Sequence, residues 1–188
     1  YYNLGNVWFK KGRLGRAILC YERALKLSPR DGDAGYNLGY ARSFIRETAV
    51  AQDAFSRLMS HVFNFLTLNE LALAFTALFT LFMFALVIRM FLPFKAVGRL
   101  ALYLGCACAV FAIWLGARAW ENETKVEAVA VSSNVELRNG PGTAYTVTSR
   151  LPEGKKMEVI GERPEWLAVE MKAENIKGWV LRKDVEEI

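Results

Sequence analysis

The sequence predicts a multidomain membrane protein with an α-helical repeat region, a two-helix transmembrane hairpin and a small all-β barrel, in that order. Three observations predict it: a tetrapeptide that recurs near the start, two long runs without charge, and a switch to alternating polar and apolar residues after Val126. Of the 188 residues, 53% are hydrophobic, which excludes a disordered chain. Their concentration in the middle of the chain also excludes a uniform globule.

The formal charge divides the chain into the same three parts. Residues 1–60 carry +5, residues 61–120 carry +3 and residues 121–188 carry −3. A basic N-terminal part can bind nucleic acid or anionic lipid, but scattered lysine and arginine are more typical of a solvated helix face, so we expect no nucleic acid partner. The sequence shows no Ser/His/Asp, Cys/His or metal-ligand constellation. We therefore expect a non-enzyme without a cofactor or a metal site.

Residues 1–50 contain about one and a half copies of a helical repeat. The tetrapeptide Tyr-Asn-Leu-Gly occurs at residues 2–5 and again at residues 36–39, a spacing of 34 residues. The first copy resembles the tetratricopeptide repeat family at Leu4, Gly5, Trp8, Gly12, Leu14, Ala17, Tyr21, Ala24 and Pro29. The second copy loses the pattern at Arg42, where an aromatic residue is expected. Since so few repeats cannot bury a continuous core, we expect either further repeats before Tyr1 or a cover from the following helix and a partner. If this region is translocated across the membrane, we also expect a signal sequence before Tyr1.

The resemblance also implies where the repeat region contacts its partners. Ligands of this family lie on the concave face that the first helices of the repeats form. The candidate contacts on that face are Tyr2, Asn3, Asn6, Phe9, Lys10, Tyr36, Asn37 and Tyr40. The alternative is that these aromatic side chains pack against a neighbouring repeat.

Residues 67–92 and 99–120 are the predicted transmembrane helices. Leu71–Ile88 has no charge and contains eleven Leu, Phe, Val or Ile residues, which favour insertion by about 3–7 kcal/mol at roughly 0.3–0.6 kcal/mol each. Thr67 and Glu70 have the spacing of a capping box at the start of the first helix. The second helix is less apolar, but it carries rows of small residues that permit close helix contact in lipid, namely Ala101, Gly105 and Ala109, and Cys108, Ala112 and Gly116. Two such runs disfavour the alternative of a buried helix pair in a soluble protein.

The short loop at residues 93–98 sets the predicted orientation. Arg89, Lys95 and Arg99 lie in or beside it, and no acidic residue does. By the positive-inside rule this loop faces the cytoplasm, so both ends of the chain lie outside it, in the periplasm of a bacterium, and the protein resides in the inner membrane. Residues 51–66 form an amphipathic helix that lies in the membrane interface. Alternatively, that helix is the second helix of the incomplete repeat.

Residues 126–188 follow a linker at residues 121–125 and predict five or six short strands. The motifs at residues 135–142, 151–154 and 178–180, together with Trp166, resemble the bacterial SH3 family. We expect the core to consist of Leu137, Val159, Trp166, Val169, Trp179 and Val180. The resemblance implies an extracytoplasmic domain that binds cell-wall peptides or proteins, and its candidate contacts are Tyr145, Trp166 and Trp179.

The order of the three modules resembles the E-like proteins of the bacterial aerotolerance (Bat) operon. This resemblance implies a non-enzymatic inner-membrane scaffold that works with membrane-anchored von Willebrand A-type proteins and a MoxR-type ATPase in tolerance of oxygen or other stress. The alternative function is a cell-wall sensor or anchor whose SH3 domain binds peptidoglycan. Both functions require the bilayer and a binding partner rather than a catalytic site.

Overall fold

The computed structural model describes residues 1–45, 54–63, 65–92, 94–172 and 174–188. The chain divides into two compact units. The terminal unit combines the two ends of the chain, Tyr1–Ala51 and Lys125–Ile188, and the helical unit contains Gln52–Thr124. The repeat region and the β domain, which are far apart in sequence, therefore belong to one body.

The repeat region consists of helices α1 (Tyr2–Lys10), α2 (Leu14–Leu27) and α3 (Gly32–Ser43). Helix α2 packs against both α1 and α3. The first copy of the tetrapeptide needs its glycine because a Cβ atom at Gly5 would lie 2.6 Å from Cε1 of Tyr21. The helices can thus approach closely only with glycine at this position.

Arg42, which breaks the repeat pattern, has a specific role in the fold. Its guanidinium forms an ion pair with the carboxylate of Glu22 on α2, and Lys156 of the β domain lies 3.2 Å from the same carboxylate. The Glu22 side chain is only 11% exposed. The aromatic side chain expected at residue 42 is therefore replaced by a cation that compensates a largely buried negative charge.

The described residues of the β domain form seven strands, one more than the upper number that the sequence predicts. They are β1 (Val126–Ala130), β2 (Val135–Arg138), β3 (Val147–Leu151), β4 (Lys156–Glu162), β5 (Trp166–Met171), β6 (Ile176–Leu181) and β7 (Val185–Glu187), with a 3₁₀ helix at Arg182–Asp184. All neighbouring strands are antiparallel, and their order is β3-β2-β6-β5-β4-β1-β7. The shortest strand, β7, has three residues, too few to show alternation in the sequence, and it pairs with β1.

The core of the β domain is aliphatic rather than aromatic. It contains Ala128, Ala130, Val135, Leu137, Leu151, Met157, Leu167, Val169, Met171, Val180 and Val185. Of the expected core residues, Leu137, Val169 and Val180 belong to this cluster, and Val159 packs at its edge. Trp166 is buried as expected but lies outside this cluster, and Trp179 is only partly buried. The reason is strand alternation: in β5 the core takes Leu167, Val169 and Met171, so Trp166 belongs to the opposite face. Trp166 is nevertheless buried on that face, since it is only 7% exposed.

The β domain packs directly against the repeat region. Ala17, Ile18 and Ile45 share one core with Val129 of β1. Contact is so close that a Cβ atom at Gly15 would lie 2.3 Å from the carbonyl oxygen of Ala130. Part of the apolar surface of the repeat region is therefore buried by the other end of the same chain, a contact that the sequence does not predict.

Hydrogen bonds lie around the apolar contact between the repeat region and the β domain. The Gly15 amide donates a hydrogen bond to Oε1 of Glu153 at 2.9 Å, and Lys26 donates to the carbonyl oxygen of Ile188, also at 2.9 Å. Arg23 donates to the carbonyl oxygen of Glu187. Apolar packing with directional bonds at its rim is typical of a specific interface between domains.

The helical unit consists of α4 (Ala54–Phe63), α5 (Leu68–Phe91) and α6 (Lys95–Thr124). The predicted capping box is present, since the Thr67 hydroxyl accepts from the Glu70 amide and the Glu70 carboxylate accepts from the Thr67 amide. Helix α6 begins inside the predicted loop of residues 93–98. Pro93 at the start of that loop lies outside the described residues, as do residues 46–53 of the predicted repeat region and interfacial helix.

The predicted linker of residues 121–125 is different in the structure. Its first four residues continue α6 as far as Thr124. An ion pair between Arg118 and Glu121, 3.6 Å apart and three residues along the helix, favours this continuation. Only Lys125 separates α6 from β1.

Helices α5 and α6 pack along each other through small residues. Ala101 and Cys108 are buried, and a Cβ atom at Gly105 would lie 3.2 Å from Cε2 of Phe82. This face takes members of both predicted rows, while Ala109, Ala112 and Gly116 are exposed. Most of the large apolar side chains on both helices are uncovered, and both helices are long and apolar enough to cross a membrane.

Candidate functional site

A groove on the repeat region is the best-formed candidate site. It has a volume of about 330 Å³ and is lined by Asn6, Phe9, Lys10, Tyr21, Tyr36, Asn37 and Tyr40. Six of these seven residues are predicted concave-face positions. Of the other two predicted positions, Tyr2 is partly buried at the end of the groove and Asn3 is exposed outside its lining.

A hydrogen-bond network forms the floor of the groove. Oδ1 of Asn6 accepts from the Tyr21 hydroxyl at 2.7 Å and from the Asn37 amide nitrogen at 2.9 Å. The same Asn37 nitrogen also donates to the Tyr2 hydroxyl at 3.3 Å. Among the described residues, the amide nitrogen of Asn6 and the amide oxygen of Asn37 have no partner. One donor beside one acceptor matches the hydrogen-bonding groups of a peptide bond.

Aromatic side chains form one wall of the groove. The ring centroids of Phe9 and Tyr40 are 5.7 Å apart, and Phe44 lies 5.9 Å from Phe9 and 5.1 Å from Tyr40. Tyr36 is 75% exposed and Tyr40 is 52% exposed. Exposed aromatic rings held by their neighbours provide apolar contact area at a low entropic cost, which suits a protein ligand.

Sequence reasoning missed one residue of the groove lining, Tyr21, and one aromatic residue that packs against its wall, Phe44. Tyr21 belongs to the repeat signature, and it is 2% exposed although its hydroxyl reaches the groove floor. Phe44 lies four residues after Tyr40, so a helical spacing from the predicted contacts would have found it. The signal for Tyr21 lies only in its hydroxyl group, because a buried tyrosine needs a hydrogen-bond partner for that one polar atom.

The pKa values of two buried groups on α2 predict how stability responds to alkaline pH. Burial raises the pKa of the Cys20 thiol above 9.0, and burial raises the pKa of the Tyr21 phenol above 10.0. In the unfolded chain both groups lose their protons at lower pH than in the folded state. The free energy of unfolding should therefore fall as the pH rises above the ordinary pKa values of these two groups.

Urea titrations of the full chain in maltoside micelles at pH 8 and pH 10.5 test this dependence. The Cys20→Ala and Tyr21→Phe variants should each lose less stability between the two pH values than the original chain does. Identical losses in all three proteins would show that other groups cause the alkaline sensitivity.

The candidate contacts of the β domain differ in their exposure. Tyr145 is 51% exposed, and a Cβ atom at Gly140 would lie 2.5 Å from its ring. The Arg138 guanidinium donates to the carbonyl oxygens of Thr143 and Tyr145, at 2.7 Å each, and so fixes this loop. Trp166 is buried and Trp179 is partly buried. Tyr145 is therefore the candidate whose ring is available to a ligand.

Comparison with known proteins supports both modules. Residues 1–31 match the tetratricopeptide repeat family, and residues 133–186 match the bacterial SH3 domain family. The chain carries a tetratricopeptide repeat and a bacterial SH3 domain. The predictions for the two ends of the chain are thus confirmed at the level of the fold.

The chain is also similar to a curated protein over a short stretch. It is 36% identical over 52 residues to "Probable cell wall amidase LytH" of Staphylococcus aureus, with the same values for strains USA300 and COL. This stretch is 28% of the present chain and 18% of the relative. The similarity is therefore local, and the chain spans less than a fifth of that protein.

Proposed function

We propose that this protein is a non-enzymatic scaffold of the bacterial inner membrane that holds protein partners on the groove of its repeat region. One observation carries this proposal: both ends of the chain form a single compact unit, although two long apolar helices separate them in sequence. If those helices cross a bilayer, two crossings are needed to return the chain to the side on which it started. An antiparallel hairpin satisfies this requirement.

Basic residues at the turn of the hairpin support a cytoplasmic turn and an extracytoplasmic terminal unit. Arg89, Lys95 and Arg99 lie near that turn, and the described residues there include no acid. Helix α4 fits the same arrangement, because Phe55, Leu58 and Val62 are spaced along one face and are at least 50% exposed. An uncovered apolar face beside a membrane helix supports a position in the lipid interface.

Cysteine labelling tests this topology. In a chain whose three native cysteines are replaced by alanine, we expect Ala144→Cys to react with a membrane-impermeant maleimide in intact spheroplasts. Ala96→Cys should react only after the membrane is permeabilised, because it lies on the cytoplasmic side. Both positions are exposed in the structure, so exposure alone does not separate them. The reverse labelling pattern would contradict the proposed orientation.

The proposed partner at the groove is a segment of a membrane-anchored von Willebrand A-type protein, in a complex that also includes a MoxR-type ATPase. The module order, which resembles E-like proteins of the aerotolerance operon, supports this choice. The exposed rings of Tyr36 and Tyr40 support a peptide ligand. So do the amide nitrogen of Asn6 and the amide oxygen of Asn37, which have no partner among the described residues. A role in tolerance of oxygen or other stress follows from the same resemblance.

Site-specific photo-cross-linking tests the groove. Benzoylphenylalanine at Tyr36 should yield an adduct with the von Willebrand A-type protein when both are co-expressed. The same probe at Leu27, which is also 75% exposed but lies outside the groove, is the matched control and should yield at least five times less adduct. Equal adduct from both positions would show that the partner does not dock in the groove.

A second candidate function is binding of peptidoglycan by the SH3 domain. The local similarity to a probable cell wall amidase favours it, as does the exposed ring of Tyr145. In a pull-down of the full chain with insoluble peptidoglycan, Tyr145→Ala should reduce retention several-fold, whereas Tyr36→Ala should not. Retention that is equal in both variants and in the original chain would leave this function unsupported.

A further inference from the structure

A second cleft in the terminal unit carries an unusual concentration of positive charge. Its volume is about 490 Å³, and its lining contains Trp8, Arg13, Arg16, Val131, Ser132, Ser133, Lys183 and Glu186. These residues come from α1, the turn before α2, α2 itself, the segment after β1, the 3₁₀ helix and β7. The cleft therefore exists only because the repeat region and the SH3 domain pack together.

The three cations of the cleft have no acidic partner among the described residues. Among the described residues, no ion pair is formed by Arg13, Arg16 or Lys183. Elsewhere in the same unit, carboxylates pair with Arg42, Lys155 and Lys156. The one carboxylate of the cleft, Glu186, lies 3.9 Å from Arg23, which is outside the lining. All three residues are exposed, so their positive charge is available to an anion from solution.

The walls of the cleft position its polar groups. The Arg16 guanidinium lies 4.8 Å from the centroid of the Trp8 ring, within the range of a cation–π interaction. The amides of Val131 and Ser132 donate to the carbonyl oxygen of Asp184, at 2.9 and 3.4 Å. These bonds hold the two-serine segment beside the 3₁₀ helix that carries Lys183.

We propose that this cleft binds a phosphate group carried by a polar ligand. The lining has three positive charges and one negative charge, a net +2, and a phosphate monoester carries about −1.5 to −2 at neutral pH. Two guanidinium groups supply paired donors that match phosphate oxygens, and the two serine hydroxyls supply further donors. The volume exceeds what a phosphate alone needs, so the ligand has a polar body, as a glycerol phosphate or a lipid headgroup does.

Calorimetric titration of the full chain in maltoside micelles with sn-glycerol 3-phosphate tests the site. The Arg13→Ala/Arg16→Ala double variant should weaken binding at least tenfold. Arg150→Ala removes an exposed cation on β3, outside the cleft, and should leave the affinity unchanged. Equal affinity in the double variant and the original chain, or absence of binding to the original chain, would overturn the proposal.

A variant that should bind the ligand more tightly distinguishes an electrostatic effect on the affinity from a loss of binding caused by damage to the fold. Glu186→Gln removes the single carboxylate from the cleft, so it should tighten binding about two- to fivefold. Weaker binding by this variant would contradict the proposed charge match.

Dihexanoyl phosphatidic acid distinguishes the two sources of the phosphate. Tighter binding of this short-chain lipid than of sn-glycerol 3-phosphate would assign the cleft to a lipid headgroup, and the opposite order would assign it to a soluble phosphate.

Discussion

Replacing Gly15 with alanine is expected to destabilise the terminal unit by about 1–3 kcal/mol, the usual cost of overpacking. In most helices the same change is neutral or stabilising, because alanine has the higher helix propensity. The reversal arises because a Cβ atom at this position would lie 2.3 Å from the Ala130 carbonyl oxygen and 2.7 Å from Cγ of Glu153. The glutamate side chain can move, but the backbone of β1 cannot move without loss of its pairing to β4 and β7.

The matched control is Gly39→Ala in α3. Nothing lies within 4 Å of a Cβ atom at Gly39, so alanine there should stabilise the helix by about 0.5–1 kcal/mol. Urea unfolding of the full chain in maltoside micelles, followed by tryptophan fluorescence, should shift in opposite directions for the two variants. A Gly15→Ala variant that is as stable as Gly39→Ala would mean that the two modules do not pack together in solution.

Hydrogen exchange adds a local measurement to the same comparison. The Gly154 amide donates to the Ala130 carbonyl oxygen at 2.7 Å, next to the position of the new methyl group. Exchange at this amide should accelerate in Gly15→Ala and stay unchanged in Gly39→Ala. Faster exchange confined to the α2–β1 contact would distinguish undocking of the modules from general unfolding.

The modules themselves could be predicted because each is determined by local patterns. The 34-residue spacing, the uncharged runs and the turn signals all act over short distances, and the helices and most strands follow them. The groove could be predicted for a similar reason, since α1 and α3 are equivalent helices of successive repeats. Equivalent positions on such helices face the same side of the stack.

The contact between the modules could not be predicted, because its partners are more than a hundred residues apart. In the sequence, Gly15 has the pattern of an ordinary helix residue, and Val129 has that of an ordinary strand residue. Only the packing of α2 against β1 in the structure shows that the residues at these positions are constrained by the other module. The phosphate cleft escaped prediction for the same reason, since Arg16 and Lys183 meet only after the two ends of the chain come together.

Tyr21→Ala is expected to cause the largest loss of stability of any change proposed for this protein. The side chain is 2% exposed, covers Gly5 and lies in the core shared by the repeat region and the SH3 domain. Truncating a buried aromatic side chain to alanine costs about 3–5 kcal/mol, because the transfer free energy is lost and a cavity remains.

Tyr21→Phe separates packing from hydrogen bonding at the same position. Phenylalanine fills the same volume, and Oδ1 of Asn6 keeps its hydrogen bond from Asn37 at 2.9 Å, so no buried acceptor loses its last donor. The cost should therefore be about 0.5–1.5 kcal/mol, that of one ordinary hydrogen bond. Urea unfolding should place Tyr21→Phe much nearer to the original chain than to Tyr21→Ala, with Tyr36→Phe, an exposed tyrosine, unchanged. If the two Tyr21 variants lost equal stability, the hydroxyl rather than the ring would hold the groove floor, and Asn6 would depend on Tyr21 alone for its orientation.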